Sequence, residues 1–320
     1  MMIGRLTALF SDLLSRSHWL NVVLTRRTFE NIFSAFGKIW LLIAVASFFF
    51  SAAKPYLSQN PYLLIGIMLL ISIWVGRPKL SIRSNVNNCD MQIEIQVGNI
   101  FDFRGTYVIS TNTTFDTDVS SGIISKNSLQ GQFASKFYKD KVSELDSDLE
   151  ELLSGLPFDE LNDGRFGKKK RYPIGTVIQL KKSNKVFYLV AIANLNKHGS
   201  VESVGFEDIQ KSLSKLWNKI EATGNIDPIV IPLLGSSRCR LKQSRTDFAK
   251  AIINSFALAC IEKKLCEKLI IVISPQDYRK YAIDLHHLNE YLNCRCTFPE
   301  LVSYKEDKED SIGYIAEKFK

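Results

Sequence analysis

The chain has 320 residues, 46% of them hydrophobic and 23% charged, which excludes intrinsically disordered, collagen-like and disulfide-scaffold proteins. Residues 1–83 account for +7 of the net charge of +8, so the remaining residues carry only +1. A domain that binds duplex DNA or RNA needs a local basic excess. We therefore predict no nucleic-acid partner.

The six cysteines form no metal-binding pattern. None of them belongs to a CxxC pair, and Cys294 with Cys296 is too isolated for a zinc site, which normally takes four ligands. We predict reduced thiols in a cytosolic domain, with neither a bound metal nor a cofactor.

The first predicted element is an amphipathic helix within residues 1–31. Apolar residues such as Leu6, Leu9 and Leu13 recur there at helical spacing, with polar residues between them. This helix lies either on a membrane surface or against a partner, and packing within the chain is an equally open alternative.

Two apolar segments follow, and they predict a transmembrane hairpin. Residues 32–54 contain the charge-free run IWLLIAVASFFFSAA, and residues 55–76 contain no charge at all. A helix of about 20 residues crosses a hydrocarbon core of about 30 Å. The alternative is a buried helical hairpin in a soluble core, but such helices rarely run this long without a charged face.

Basic residues indicate the orientation of this hairpin. Arg26 and Arg27 precede it and Arg77 and Arg83 follow it, whereas the turn carries only Lys54. The positive-inside rule then places both chain termini in the cytoplasm. The sequence therefore predicts a multi-pass protein of the cell (inner) membrane with a cytosolic C-terminal part.

Residues 77–89 are predicted to be a linker, and residues 90–320 a cytosolic α/β domain. Strand-like runs alternate with helical periodicity; the strands are 91–97, 106–110, 177–180, 186–192, 229–234 and 269–274, and the helices 206–223 and 246–263. This alternation predicts a largely parallel or mixed sheet with helices on both faces.

A helical insertion at residues 136–171 interrupts the alternation. Residues 136–154 have the pattern of an amphipathic helix, and residues 164–171 form a basic loop with spaced glycines. The basic loop is either a solvated surface loop or a contact for a phosphate or an anionic membrane.

Polar loops follow four of the predicted strands. Ligands of open α/β sheets bind beyond the carboxyl ends of the strands. The small residues at 235–237, followed by the cation Arg238, and a second turn at Gly122 can offer backbone N–H groups to a phosphate, and Tyr278 is available for stacking. These loops together predict a site for a nucleotide diphosphate.

The order of the motifs GNI, VISTN, SSGII, YPIGTV, IPLLGSS and LIIVISPQDY resembles that of the macro-domain family, over about residues 90–290. With the two apolar segments, the chain resembles the membrane-anchored macro domains of the Thoeris antiphage defence system. The resemblance implies a macro-domain-like mixed sheet flanked by helices, preceded by a two-helix hairpin, and an ADP-ribose-type ligand.

The resemblance also implies ligand-binding residues. Asn99 stands where the family usually has the aspartate that meets the adenine amino group, with the backbone of Ile100 beside it, and Asn112 stands near the distal ribose. The phosphate loops correspond to Ser121, Gly122 and Ile123 and to Gly235, Ser236, Ser237 and Arg238, and the aromatic residue after the last strand corresponds to Tyr278.

Three functions are compatible with this sequence. In the first, histidine–ADP-ribose, made from NAD by a TIR-domain partner enzyme, binds the domain and promotes homo-oligomerisation, and the hairpins then damage the membrane. The alternatives are a membrane-tethered ADP-ribosyl hydrolase and a passive nucleotide-binding scaffold. No Ser/His/Asp or Cys/His set and no general base is recognisable near the loops, so we expect a non-enzymatic effector without catalytic residues.

Overall fold

The computed structural model describes residues 26–49, 61–76, 80–87, 89–139, 141–162, 164, 167–197, 199–202, 204–235 and 242–299. The chain divides into two compact units, one of Met1–Leu80 with Tyr278–Ala282 and one of Ser81–Asp277 with Ile283–Lys320. Most of the predicted N-terminal amphipathic helix, at residues 1–31, lies outside the described residues.

The first unit contains two apolar helices, α1 (Arg26–Phe49) and α2 (Pro61–Gly76), which pack against each other. Within the described residues, one helix is long and apolar enough to cross a membrane: the 22 residues of α1 from Thr28 to Phe49, with a mean hydropathy of 2.0. The 16 residues of α2 form a shorter apolar helix. Their large side chains are mostly uncovered; Phe48 is 81% and Tyr62 88% exposed.

The helix bounds differ in part from the predicted ones. α1 begins before residue 32, because Thr28 and Glu30 already belong to the helix. α2 ends at Gly76, as expected, while residues 50–60 between the two helices lie outside the described part.

A mixed seven-stranded sheet forms the centre of the second unit. Its strands are β1 (Ser81–Asn85), β2 (Gln92–Val97), β3 (Thr106–Asn112), β6 (Val177–Lys182), β7 (Lys185–Ala193), β8 (Ile229–Pro232) and β9 (Lys268–Ile273), while β4 (Asp159–Glu160) and β5 (Lys170–Arg171) form a separate two-stranded sheet. The strand order is β1-β2-β9-β8-β3-β7-β6. The predicted mixed sheet is confirmed, and β1 lies within the segment predicted to be a linker.

The strand directions bring several loops to one edge of the sheet. β2, β9, β8, β3 and β7 are parallel to one another, and only β1 and β6 at the two sides are antiparallel to their neighbours. The carboxyl ends of these parallel strands therefore lie at the same edge. β8 and β9 are buried along nearly their whole length, as expected of central strands with both faces covered.

Helices cover both faces of the sheet, as predicted; in the second unit they are α3 (Leu129–Phe137), α4 (Val142–Leu153), α5 (Phe206–Ala222), α6 (Arg245–Glu262) and α8 (Leu285–Thr297). A short helix, α7 (Pro275–Lys280), follows β9, and its residues from Tyr278 onward are grouped with the first unit. On one face, α3 and α4 contribute Phe133 and Leu149 to a core with Tyr107 and Phe187. On the other face, α5 packs on β6 and β7, α8 packs on β1, and α6 contacts both helices.

The predicted helix over 136–154 is two helices rather than one. α3 ends at Phe137, and Lys139 adopts a left-handed conformation (φ +47°) that interrupts the helical path before α4 begins. The basic loop is tied into the fold: the Lys168 ammonium pairs with Asp146 at 2.6 Å, and Lys170 lies 4.9 Å from the centre of the Phe158 ring. These contacts hold the described part of the loop against the rest of the α/β unit, and both interpretations of residues 164–171 stay predictions.

Candidate functional site

A cleft of about 90 Å³ opens at the carboxyl ends of β3, β7 and β8. It is lined by Ser110, Thr111, Asn112, Ile123, Ile124, Ser125, Ser128, Leu129, Gln130, Ile192, Ala193, Leu195, Val201 and Gly235. None of these residues is charged. Three of the predicted ligand-binding residues, Asn112, Ile123 and Gly235, therefore share one cleft.

A β-bulge shapes the floor of this cleft. Thr111 pairs with Ala191 of β7, whereas Asn112 pairs with Ala193, so the register of the two strands shifts between Thr111 and Asn112. Such bulges re-aim side chains at the end of a strand. The Thr113 hydroxyl donates to the Asn194 side chain at 2.7 Å and fixes the loops that leave both strands.

The side chain of Asn112 is held by a buried aspartate. Its Nδ2 donates to Asp116 Oδ2 at 3.0 Å, and the backbone N–H of Asp116 donates back to Asn112 Oδ1 at 3.0 Å. The other carboxylate oxygen of Asp116 accepts the backbone N–H of Lys168 at 2.7 Å, and the Thr114 hydroxyl also donates to this carboxylate. Asp116 thus fixes Asn112 and joins the cleft to the insertion.

Sequence reasoning missed the contribution of Asp116 and of Gln130, whose Nε2 donates to the backbone oxygen of Asp116. Both residues lie in polar stretches that look like ordinary turn sequence, TNTTFDTD and KNSLQ. Their roles depend on which segments meet in space, and the local sequence carries no signal of that.

The first predicted phosphate loop, residues 121–123, follows a carboxylate to which its first residue is hydrogen-bonded. The backbone N–H groups of Ser120 and Ser121 donate to Asp118 Oδ1 at 2.8 and 3.1 Å, and the Ser120 hydroxyl donates to the same oxygen. Hydrogen bonds from Ser120 and Ser121 lower the pKa of Asp118 to about 2, and those of the two side chains contribute most. Gly122 lies in this loop at φ +80°. The backbone N–H groups of Ser120 and Ser121 are therefore already bonded within this segment.

The second predicted phosphate loop begins at Gly235, which has a φ of +72°. A Cβ at this position would lie 2.8 Å from Ile209 Cδ1, so both the backbone conformation and the close approach of α5 favour glycine. Ser236, Ser237 and Arg238 lie outside the described residues, and their part in phosphate binding stays a prediction.

Three other predicted residues, Asn99, Ile100 and Tyr278, are absent from the described lining of the cleft. Asn99 is exposed, and its Oδ1 accepts the Phe101 N–H at 3.0 Å and caps a short 3₁₀ turn that begins at the buried Ile100. Neither residue belongs to the described lining of the cleft. Tyr278 is a buried residue of α7 and is part of the first unit.

Among the described residues, no group of three or more His, Cys, Asp or Glu side chains is arranged to hold a metal ion. The described cysteines are free thiols. Burial raises the pKa of Cys266 to about 12 and that of Cys296 to about 11, so both thiols are protonated at neutral pH.

A mixed sheet with a parallel centre, helices on both faces and an uncharged cleft at the carboxyl ends of its strands define an α/β ligand-binding domain. Residues 93–274 match the family model described as "Thoeris protein ThsA, Macro domain". Because this match spans more than half of the chain, the chain belongs to the ThsA macro-domain family.

The relatives agree with this assignment. The chain is 27% identical over 239 residues to Thoeris protein ThsA of Bacillus amyloliquefaciens (strain Y2), covering 72% of this chain and 77% of that protein. Two solved structures of the Oceanobacillus iheyensis macrodomain also show similarity: a mutant (TM-score 0.46, 15% identity, 66% of this chain and 99% of that chain) and the form with ADP (TM-score 0.43, 16% identity, 66% and 97%). The family assignment depends on the sequence match and not on these structures.

Proposed function

We propose that this protein is a membrane effector of Thoeris antiphage defence, in which the macro domain binds an NAD-derived ADP-ribose-type signal. The observation that carries the proposal is the combination of a ThsA-type macro domain at residues 93–274 with a long apolar helix at Thr28–Phe49 in one chain. Macro domains bind ADP-ribose, and an apolar helix of 22 residues spans about 33 Å, enough to cross a bilayer core.

The signal is, in this proposal, histidine–ADP-ribose made by a TIR-domain enzyme. Its binding site is the cleft at Asn112 and Gly235, together with the loops at Asn99, Ser121 and Arg238. The cleft supports part of this assignment, because it lies at the strand ends where open α/β sheets take their ligands.

The membrane part of the proposal depends on α1 and α2. Their exposed apolar side chains fit a lipid environment, and the basic residues at both ends of the pair favour cytoplasmic termini. Two helices alone enclose no pore, so disruption of the membrane requires several copies of the chain. We propose that ligand binding promotes this homo-oligomerisation.

We further propose that the site binds its ligand without turning it over. The described lining of the cleft contains no Asp, Glu, His, Cys or Lys side chain that could act as a general base. The alternative, an ADP-ribosyl hydrolase, predicts release of free ADP-ribose from an ADP-ribosylated protein. Incubation of the full chain with such a substrate, followed by chromatography, separates the two: a time-dependent product would establish the hydrolase.

Binding is tested first by calorimetry on the full chain in detergent, with ADP-ribose and then histidine–ADP-ribose. We expect binding of both and tighter binding of the conjugate. Arg238→Glu should weaken both ligands, while Lys242→Glu, a charge reversal at a nearby exposed position, should not. A folded protein that takes up neither ligand would contradict the sensor function.

Membrane damage is tested with dye-filled vesicles that contain the full chain. We expect dye release only after the ligand found by calorimetry is added, and no release when a chain without residues 32–76 is mixed with the vesicles instead. Release that is independent of the ligand would remove the sensing role and leave a constitutive membrane protein.

A further inference from the structure

One carboxylate joins the insertion at residues 136–171 to the loop that follows β3. Asp146 of α4 accepts the Thr117 hydroxyl on Oδ1 at 2.6 Å, and the Lys168 ammonium lies 2.6 Å from the same oxygen. Thr117 is buried and follows β3, whereas Lys168 belongs to the basic loop. The side chain of Asp146 therefore connects two loops that are far apart in the chain.

The backbone of the basic loop packs beside the cleft. Gly167 has a φ of +103°, and a Cβ at this position would lie 2.6 Å from Asp116 Oδ1 and 3.0 Å from Ile123 Cδ1. Both the backbone conformation and the close approach therefore favour glycine. The next residue, Lys168, donates its backbone N–H to Asp116 Oδ1 at 2.7 Å. Since Ile123 lines the cleft, the basic loop supports part of this lining.

Ile123 depends on this support, because the first predicted phosphate loop makes only long hydrogen bonds of its own at this point. The Gly122 N–H donates to the Val119 backbone oxygen at 3.4 Å. The Ile123 N–H donates to the Ser121 hydroxyl at 3.5 Å, and both Ser121 and Gly122 are exposed. Segments with weak hydrogen bonds and exposed residues open at a low cost in free energy. The position of Ile123 is therefore set by the segments that pack against it.

The ion pair of Asp146 with Lys168 acts locally rather than on the whole fold. The two side chains are 39% and 30% exposed, and ion pairs with this exposure contribute little to global stability. Their effect is confined to the basic loop and, through the backbone of Gly167, to Ile123. A binding loop that is already ordered binds its ligand more tightly, since less conformational freedom is lost on binding.

We propose that Asp146 and Lys168 are positioning residues for the ligand: their ion pair holds the basic loop against Ile123 and so keeps the first phosphate loop in its ligand-binding conformation. The proposal rests on the proposed function, since it assumes that Ile123 lines the nucleotide site. It gives the insertion a role in ligand affinity, although neither side chain of the pair belongs to the described lining of the cleft.

The test compares Asp146→Ala with Glu144→Ala, a matched control on the same helix. Glu144 also pairs with a lysine and is 43% exposed, but its partner Lys182 belongs to β6, which contributes no residue to the described lining of the cleft. Calorimetry on the full chain in detergent measures the affinity for ADP-ribose. We expect Asp146→Ala to weaken binding by about three- to tenfold, the effect of one net hydrogen bond, and Glu144→Ala to leave it unchanged.

Two milder variants separate the charge from the hydrogen bond. Lys168→Met removes the ion pair, and Asp146→Asn removes the charge but keeps an acceptor for the Thr117 hydroxyl. Each variant should weaken ADP-ribose binding by about two- to fivefold, the range of an exposed ion pair. Because both remove the same interaction, the double variant should bind no more weakly than either single one. Additive losses would mean that the two residues act independently and would overturn the proposal.

Hydrogen exchange of the ligand-free chain reports on the loop directly. We expect faster amide exchange at residues 119–124 in Asp146→Ala than in the wild type, and wild-type exchange rates at these residues in Glu144→Ala. Faster exchange across the whole α/β unit would show a general structural role and overturn the proposal. An affinity for ADP-ribose that Asp146→Ala leaves intact overturns this proposal alone, whereas a wild type that binds no ADP-ribose overturns the proposed function as well.

Discussion

The two units of the chain place their large apolar side chains in opposite ways. In α1 and α2, Phe33, Phe48 and Tyr62 are exposed along most of their surface, whereas Trp217 and Phe256 of the α/β unit are almost completely buried. Apolar surface is driven out of water in both cases. The α/β unit achieves this within itself, whereas α1 and α2 leave these side chains uncovered in the described part of the chain.

Polar groups show the same contrast. In the helices, the Ser72 hydroxyl bonds to the Met68 backbone oxygen one turn back, which satisfies it without an outside partner. In the α/β unit, polar side chains such as Asn112 and Asp116 join segments that are distant in the chain or bound an open cleft. The first unit thus presents mainly apolar side chains at its surface, whereas the second presents polar groups around a cleft.

The largest expected effect is that of truncating a large side chain in the core of the α/β unit. Trp217 donates its indole N–H to the Ser255 hydroxyl at 2.7 Å and packs on the Phe256 ring. Trp217→Ala should lower the free energy of unfolding by about 3–5 kcal/mol, measured by urea unfolding followed by circular dichroism. Phe48→Ala in α1 is the matched control and should change little, since its ring is exposed. Equal losses of unfolding free energy in the two variants would contradict the difference in burial between the two units.

A charged side chain introduced into α1 tests whether the exposed apolar side chains of this helix lie in a membrane. Leu42 is exposed on α1, and an aspartate near the centre of a membrane helix costs about 2.5–3.5 kcal/mol. Leu42→Asp should therefore move much of the protein from the membrane fraction of cells to the soluble fraction, while Leu42→Ala should stay in the membrane. A Leu42→Asp protein that remains in the membrane fraction after a carbonate wash argues against insertion of α1.

Much of the fold could be predicted from the sequence because it depends on local patterns. The runs at 229–234 and 269–274 are apolar enough to be central strands, and the 3.6-residue period of 206–223 gives α5 almost to its observed bounds. β1 was missed, since SIRSN looks like linker sequence. This strand depends on its pairing with β2 and on α8, which are contacts that local composition does not report.

The sequence indicated which loops form the candidate site, but it did not indicate the hydrogen bonds within it. The rule that ligands bind at the carboxyl ends of strands indicated the loops after β3 and β8. The macro-domain resemblance indicated Asn112, Ile123 and Gly235 within or near these loops, and all three line one cleft. The bulge at Thr111 and the partnership of Asn112 with Asp116 arise only when β3, β7 and the insertion meet. The contact of Asp118 with the following serines is an exception, because Asp-x-Ser is a recognisable turn pattern.

Helix packing within the first unit gives a smaller test. A Cβ on Gly76 would lie 2.6 Å from Ile32 Cγ1 and 2.9 Å from the Ile32 backbone nitrogen, whereas a Cβ on Gly66 meets nothing within 4 Å. Gly76→Ala should therefore cost about 1–3 kcal/mol of helix pairing, and Gly66→Ala should be neutral. Crosslinking between cysteines introduced on α1 and α2 measures the pairing. Equal crosslinking yields in both variants would show that the close approach at Gly76 does not hold the helices together.

The buried thiols of the α/β unit give the smallest expected effect, which appears only at alkaline pH. Burial raises the folded-state pKa of Cys266 to about 12 and that of Cys296 to about 11, from an ordinary value of 9.0. Above pH 9 the unfolded chain loses these protons first, so the free energy of unfolding falls as pH rises and continues to fall until the folded-state pKa is reached.

Each thiol contributes at most about 1.4 kcal/mol per pH unit to this slope. Urea unfolding between pH 8.5 and 10, below the range in which tyrosines dominate, should show a shallower slope for Cys266→Ala and for Cys296→Ala than for the wild type. Cys294→Ala is the matched control for the loss of a thiol at an exposed position. A pH slope of the unfolding free energy that is as steep for Cys266→Ala as for the wild type would mean that water reaches this thiol in the folded state. The core of the α/β unit would then be less completely closed to water than the contrast with α1 and α2 requires.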